Sequence, residues 1–190
     1  MISYDIIIIG ASAGGLSALE ELLGIIKDYI HVPIVIVQHI SPDSGDSLLK
    51  IIKKISTIEV VEPIDKERIE SDHVYLAPPD YHLLVERDKT FSLYMGPKEN
   101  FCRPSIDLLF ETVAEAFLER TVGIVLTGAN NDGTKGIESI KDFSGLTIAQ
   151  SPLEAQVPIM PQNAIDSGSI DYTLTINEIG NLLIELFKET

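Results

Sequence analysis

Residues 4–16 read Tyr4-Asp5-Ile6-Ile7-Ile8-Ile9-Gly10-Ala11-Ser12-Ala13-Gly14-Gly15-Leu16. The apolar run Tyr4 to Ile9 is short and ends at Gly10. Such a run suits a strand buried on both faces, as in a parallel sheet. Leu16, Leu19, Leu22, Leu23 and Ile26 then share one helical face. Pro33 opens a second run, Ile34 to Val37, which ends at Gln38-His39. Leu48, Leu49, Ile52 and Ile55 mark a second helix. Strand, helix, strand, helix over the first sixty residues predicts βαβ units.

The middle of the chain breaks this rhythm. Val74 to Leu76, His82 to Val85 and Phe91 to Tyr94 are short β-like runs, separated by Pro78-Pro79-Asp80 and Arg87-Asp88-Lys89. They are expected to form an antiparallel excursion of hairpin type. The alternation resumes with an apolar stripe on Ile106, Leu109, Phe110, Val113 and Phe117. Val122 to Leu126 is a buried strand, Ile137 and Ile140 lie in a helix, and Leu146 to Ala149 is a strand. Ile170 to Thr173 reads as a last strand. Thr175 and Glu178 have the spacing of a capping box, opening a helix on Ile176, Ile179, Leu182, Leu183, Leu186 and Phe187. The expectation is one α/β domain over residues 1–190. Its doubly wound, mostly parallel sheet has helices on both faces and an inserted antiparallel hairpin.

The 190 residues carry 14 Lys+Arg against 29 Asp+Glu, a formal net charge of −15. That excess repels duplex phosphates, so nucleic acid is not an expected partner. The run Ile6 to Ile9 is far too short to span a bilayer, and no membrane insertion is expected. Ala11-Ser12-Ala13 resembles a signal-cleavage site, but no basic segment precedes it. These features predict a cytoplasmic protein. The one cysteine, Cys102, excludes an internal disulfide and a zinc site built with other thiolates. It reads as a small, partly buried side chain. No two histidines have metal-ligand spacing on a helix, and no metal or cofactor is expected.

In an open parallel sheet, ligands sit beyond the carboxyl ends of the strands. Three such ends are polar or glycine-rich: Gly10 to Gly15, Gln38-His39, and Thr127-Gly128-Ala129-Asn130-Asn131-Asp132-Gly133. Ser12, His39 and Asp132 thus fall on one rim, as the parts of a nucleophile, a base and its orienter. A dinucleotide loop would need Gly at position 12 and an acid after the second strand. The chain has Ser12 and His39. Gly10-Ala11-Ser12-Ala13-Gly14 instead matches Gly-x-Ser-x-Gly, a sharp strand-to-helix turn that exposes a hydroxyl. In an α/β-hydrolase the acid precedes the His in the chain; here His39 precedes Asp132. The plainer readings are that Ser12 and Asp132 are helix N-caps and that His39 is a hydrogen-bonded turn residue. His31 lies at the opposite strand end, His73 precedes a short strand, and His82 lies in the hairpin.

Gly10-Ala11-Ser12-Ala13-Gly14-Gly15, Gln38-His39, Ala77-Pro78 and the run Arg103 to Phe110 together resemble the catalytic domain of the chemotaxis-receptor methylesterases. Leu126-Thr127-Gly128, Asn131-Asp132-Gly133, Ala149-Gln150 and Met160-Pro161 continue the resemblance in order along nearly the whole chain. It implies a doubly wound α/β fold and hydrolysis of glutamate 5-O-methyl esters on chemoreceptor cytoplasmic helices. Related members also deamidate receptor Gln. Carried over by position, Ser12 is the nucleophile, His39 the base and Asp132 the orienter. An N–H at Ala129 helps form the oxyanion hole, with Ala13 and Asn130 close to the substrate. Ala13 stands where Thr is common. Ala129 and Asn130 replace Met and Gly of a Gly-Met-Gly-x-Asp-Gly stretch, and Asn130 is tolerable there in a left-handed conformation.

Family members commonly carry a receiver domain ahead of this one, whereas here the first strand begins by about residue 4. Control by a separate receiver or signalling protein acting in trans is therefore expected. The rival readings are an idle module that binds receptors or a receiver without turnover, and a hydrolase of other small esters.

Overall fold

A computed structural model describes residues 3–39 and 47–188. In chain order the elements are β1 (Ile6–Ala11), α1 (Gly15–Ile26), β2 (Ile34–Gln38), α2 (Ser47–Ile55), β3 (Glu59–Val61), β4 (His73–Leu76), β5 (His82–Val85), β6 (Phe91–Tyr94), α3 (Ile106–Phe117), β7 (Thr121–Val125), α4 (Thr134–Asp142), β8 (Leu146–Gln150), α5 (Ile159–Asp166), β9 (Tyr172–Leu174) and α6 (Ile176–Phe187). A single 3₁₀ turn, Leu118–Arg120, joins α3 to β7.

Seven strands form one sheet in the order β3-β4-β2-β1-β7-β8-β9, with every pairing parallel. The chain leaves β1 toward β2 on one side and later returns to it through β7 on the other. The crevice beyond the carboxyl ends of β2, β1 and β7 is therefore the switch point where such sheets take ligands.

Alternation along β1 feeds two cores. Ile7, Ile9 and Ala11 pack with α1 and α6 through Leu19, Leu22, Ile179 and Leu183. Ile6 and Ile8 face the other way, toward Ile106, Phe110 and Val113 of α3 and Ile137 and Ile140 of α4. All six residues of β1 are buried, which is why the strand reads as an unbroken apolar run rather than an alternating one.

The middle of the chain departs from expectation. Only β5 and β6 form the antiparallel pair. The run at Val74 to Leu76 is instead a full member of the parallel sheet, between β2 and β3. Its Val74 and Leu76 join one core and Tyr75 the other, but three apolar residues are too few for periodicity to separate the two kinds of sheet. β3 and α5 were not expected. β3 buries only Val60, as an edge strand does. α5 buries only Met160, Pro161 and Ala164, which leaves no extended stripe to read. The capping box on Thr175 and Glu178 is present.

Candidate functional site

Ser12 directly follows β1, and its main chain is held from both neighbouring strands. Its N–H donates to the Thr127 carbonyl at 3.0 Å. Its carbonyl accepts from Gln38 Nε2 at 2.8 Å. Gln38 Nε2 also donates to the His39 carbonyl at 2.8 Å, so one buried amide ties the Ser12 loop to the His39 loop. Both contacts are to carbonyls, which fixes the amide's orientation. Ser12 does not cap α1: the cap is Gly14, at φ 79, with no side-chain hydrogen bond.

Pairing of β1 with β2 runs to Ala11 opposite Gln38, and the His39 N–H continues it to the Ala11 carbonyl at 2.9 Å. Ser12 and His39 are thus one strand spacing apart, about 4.8 Å. Ser12 Oγ and His39 make no hydrogen bond among the described residues.

Asp132 is wholly buried. It does not cap its own helix either, since Gly133, at φ 98, caps α4. Its carboxylate instead lies at the start of α3. It accepts from the N–H groups of Ile106 and Asp107 at 2.8 and 3.0 Å and from Ser105 Oγ at 3.0 Å. Asp107 returns the arrangement, accepting from the N–H groups of Gly133 and Gly136 at the start of α4 at 2.8 and 2.9 Å. Each helix start thereby holds the carboxylate carried by the other, where free N–H groups and the dipole favour negative charge. Asn100 Nδ2 bridges the two acids, 3.0 Å from Asp107 and 3.4 Å from Asp132.

His39 Nε2 lies 3.0 Å from Asp132 Oδ2. This is an ion-pair distance without hydrogen-bond alignment, and among the described residues neither buried ring nitrogen has an aligned partner. Burial is the largest influence on the His39 imidazole and pulls its pKa down. Asp132 and Cys102 outweigh it and raise the value to about 9. Burial likewise pushes the Asp132 carboxyl up, but His39 and the α3 N–H groups hold it below the usual range. Asp107 is raised to about 6, by burial first and then by the charge of Asp132. Asp132 is therefore the permanent anion of the pair.

The structure brings His39 and Asp132 together and sets Ser12 beside them. Ala13 and Ala129 are exposed, and their N–H groups donate to nothing among the described residues. Asn130 departs from expectation, because its φ is not left-handed. Its Oδ1 accepts from the Asp132 N–H at 3.2 Å, an Asx turn, so the residue is suited by its side chain. Its Nδ2 donates to Cys102 Sγ at 3.3 Å. Cys102 is half-buried, as expected, but it stands against His39. Ligand-type atoms of His39, Cys102 and Asp132 all lie within 4.8 Å of one another.

Sequence reasoning gave no roles to Gln38, Asn100, Ser105, Asp107 or Cys102. Except for Asn100 and Cys102, they lie in the motifs quoted above, but no spacing reveals contacts across 25 residues or more. His82 is a core histidine: Nδ1 accepts from the Ser105 N–H and Nε2 meets the Pro97 carbonyl. His31 is exposed and paired with Asp72. A hollow of about 450 Å³ lies by Tyr4, Lys141, Asp171 and Tyr172 at the amino ends of the strands, away from this rim.

Known proteins share this architecture. The family model for CheB methylesterase matches residues 7–183. A protein of Leptospira interrogans is 46% identical over 97% of this chain and 95% of its own length. It is named, provisionally, for the two activities of the next relative. That is the "Protein-glutamate methylesterase/protein-glutamine glutaminase" of Thermotoga maritima, which is 34% identical over 97% of this chain. The chain spans 55% of that relative's length. The crystal structure of the Thermotoga maritima CheB methylesterase catalytic domain superposes with a TM-score of 0.91 at 34% identity, covering 97% of this chain and 100% of that one.

Proposed function

The chain belongs to the CheB methylesterase family, and from that premise we propose that it hydrolyses glutamate 5-O-methyl esters on the cytoplasmic helices of chemoreceptors. Ser12 is the nucleophile, His39 the base and Asp132 its orienter. The observation that carries the reading is the 3.0 Å approach of His39 to the buried Asp132, one strand from Ser12.

With Nε2 against Asp132, Nδ1 is the nitrogen left for the Ser12 proton. Substrate arrival closes the Ser12–His39 hydrogen bond by rotation about the serine Cα–Cβ bond, since catalytic hydrogen bonds commonly tighten only in the complex. Oγ then bonds to the ester carbonyl carbon as His39 takes the hydroxyl proton. The carbonyl oxygen becomes an oxyanion facing the free N–H groups of Ala13 and Ala129, the arrangement such charge requires. The C–O bond to the methoxy group breaks, His39 returns the proton, and methanol leaves. Water, deprotonated by His39, adds to the acyl carbon; the bond to Ser12 Oγ breaks, His39 returns the proton to Oγ, and the glutamate carboxylate leaves. A glutamine side chain would follow the same path with ammonia as leaving group, in keeping with the second activity in the relatives' name. Such a substrate puts the chain in the cytoplasm; among the described residues no helix is long and apolar enough to cross a membrane.

The test is methanol released from methylated receptor, together with labelling by a fluorophosphonate. Ser12→Ala is expected to abolish the label and to slow hydrolysis on the order of 10⁴-fold or more. Labelling that persists at another serine overturns the assignment. A chain that binds receptor yet releases no methanol is the idle module.

A further inference from the structure

We infer that His39, Cys102 and Asp132 form an inhibitory binding site for a borderline divalent cation of the zinc class. The three side chains come from separate segments: the end of β2, the turn before α3 and the loop before α4. Their nitrogen, sulfur and oxygen donors lie within 4.8 Å of one another. Two independent features point the site at a cation. Asp132 is a wholly buried carboxylate with one oxygen facing the histidine. Among the described residues, neither buried ring nitrogen of His39 has an aligned hydrogen-bond partner.

The position of Cys102 is built, not incidental. A tight turn pairs Cys102 with Glu99 through two main-chain hydrogen bonds of 2.7 and 3.1 Å. Its central residues, Asn100 and Phe101, both take positive φ, 47 and 65. The turn sends Asn100 onto the two acids and Cys102 onto the imidazole.

Zinc holds nitrogen and oxygen ligands at about 2.0–2.2 Å and sulfur at about 2.3 Å, which sets tetrahedral ligands roughly 3.5 Å apart. Donors already within 4.8 Å need to close by roughly 1 Å, within reach of a cysteine rotamer change. A thiolate in the set selects against Mg²⁺ and Ca²⁺, which take oxygen ligands. A cavity of about 210 Å³, lined by His39, Cys102, Asp80 and Arg103 among others, gives access and room for a water as fourth ligand. Lys98 also lines it and opposes a cation; the Arg103 guanidinium donates to the Gly96 carbonyl at 2.7 Å and lies 3.9 Å from the Asp80 carboxylate, which offsets its charge. Binding displaces the thiol proton and any imidazolium proton to solvent. The occupied imidazole has no lone pair left for Ser12, so the ion stops turnover. That consequence, unlike the site itself, rests on His39 being the base.

The experiment titrates the chelator-treated chain with ZnCl₂, and with CoCl₂ as a spectroscopic stand-in. One ion per chain is expected, with a thiolate-to-cobalt charge-transfer band and loss of ester hydrolysis that EDTA restores. MgCl₂ should do neither. Cys102→Ser is expected to abolish the band and to raise the zinc concentration for half-inhibition on the order of 100-fold or more. His39→Gln should also lose the band while circular dichroism shows it folded. A cobalt complex without the band, or equal zinc uptake by Cys102→Ser, overturns the site and puts the ion on surface pairs such as His31 and Asp72. The band without inhibition upholds the site and refutes His39 as the base.

Discussion

Asp132 is held by four donors, Ile106 N, Asp107 N, Ser105 Oγ and Asn100 Nδ2, before it meets His39. That crowding decides what a substitution does. Asp132→Asn turns one oxygen into an amide that faces either N–H groups or the imidazole, donor against donor. Turnover is expected to fall about 10³–10⁴-fold and stability by about 1–3 kcal/mol, read from kinetics and urea melts together. Asn131 is exposed, and Asn131→Ala should do little. Equal kinetic losses from the two variants would mean that the loop matters for its shape and not its charge. His39 sets the pH response. A base must be unprotonated, so in chelating buffer kcat/KM should rise with pH through an apparent pKa near 9. Cys102→Ser removes one of the influences that raise the imidazole and should move that limb downward. A limb at about 6.5 in both proteins would refute the coupling. The stability sign follows from the same shift. The folded pKa exceeds the unfolded one, so the contribution is full below about pH 6.5 and is lost as the pH climbs through about 9.

At the scale of elements, the site depends on how closely α3 approaches β1. A Cβ on Gly10 would sit 2.5 Å from Ile106 Cγ2, the first residue of the helix whose N–H groups hold Asp132. Gly10→Ala should therefore push the α3 start away, costing about 1–3 kcal/mol and more than 10-fold in turnover. Ile106→Ala in the same chain should recover part of the stability, a coupling that a double-mutant cycle measures. Additive losses would show that α3 is not displaced. The same elements show what a sequence displays. β1, α1 and α3 were legible because their apolar residues keep one period for a full element. Thr175 and Glu178 announced α6 because a capping box is local. Ser12, His39 and Asp132 could be singled out as candidates because each lies in the polar segment beyond an apolar run. β4 was misread because three residues carry no period, and β3 went unseen because an edge strand buries one side chain. The clamp formed by Gln38, Asn100 and Asp107 was invisible, since its hydrogen bonds join segments brought together only by packing.

For the whole molecule, one sheet serves both cores, and the three candidate site residues lie beyond adjacent strands of that sheet. The layer of α1 and α6 carries none of the three candidate side chains, yet it buries the faces of β1, β2 and β7 opposite α3. We therefore propose that the chain unfolds as a single cooperative unit. Leu183 of α6 and Phe110 of α3 are both fully buried, on opposite faces. Leu183→Ala should cost about 2–5 kcal/mol and Phe110→Ala about 3–5 kcal/mol. At this chain length each kcal/mol lowers Tm by about 2–4 °C. If the sheet couples the layers, each variant lowers one common transition. Far-ultraviolet circular dichroism, tyrosine fluorescence and ester hydrolysis should then be lost at the same temperature in both. The two costs should add in the double variant, because the side chains share no partner across the sheet. Two separated transitions, or a Leu183→Ala protein that keeps full hydrolysis above the temperature at which its helical signal is lost, would show that the α3–α4 layer and its strands stand without α6.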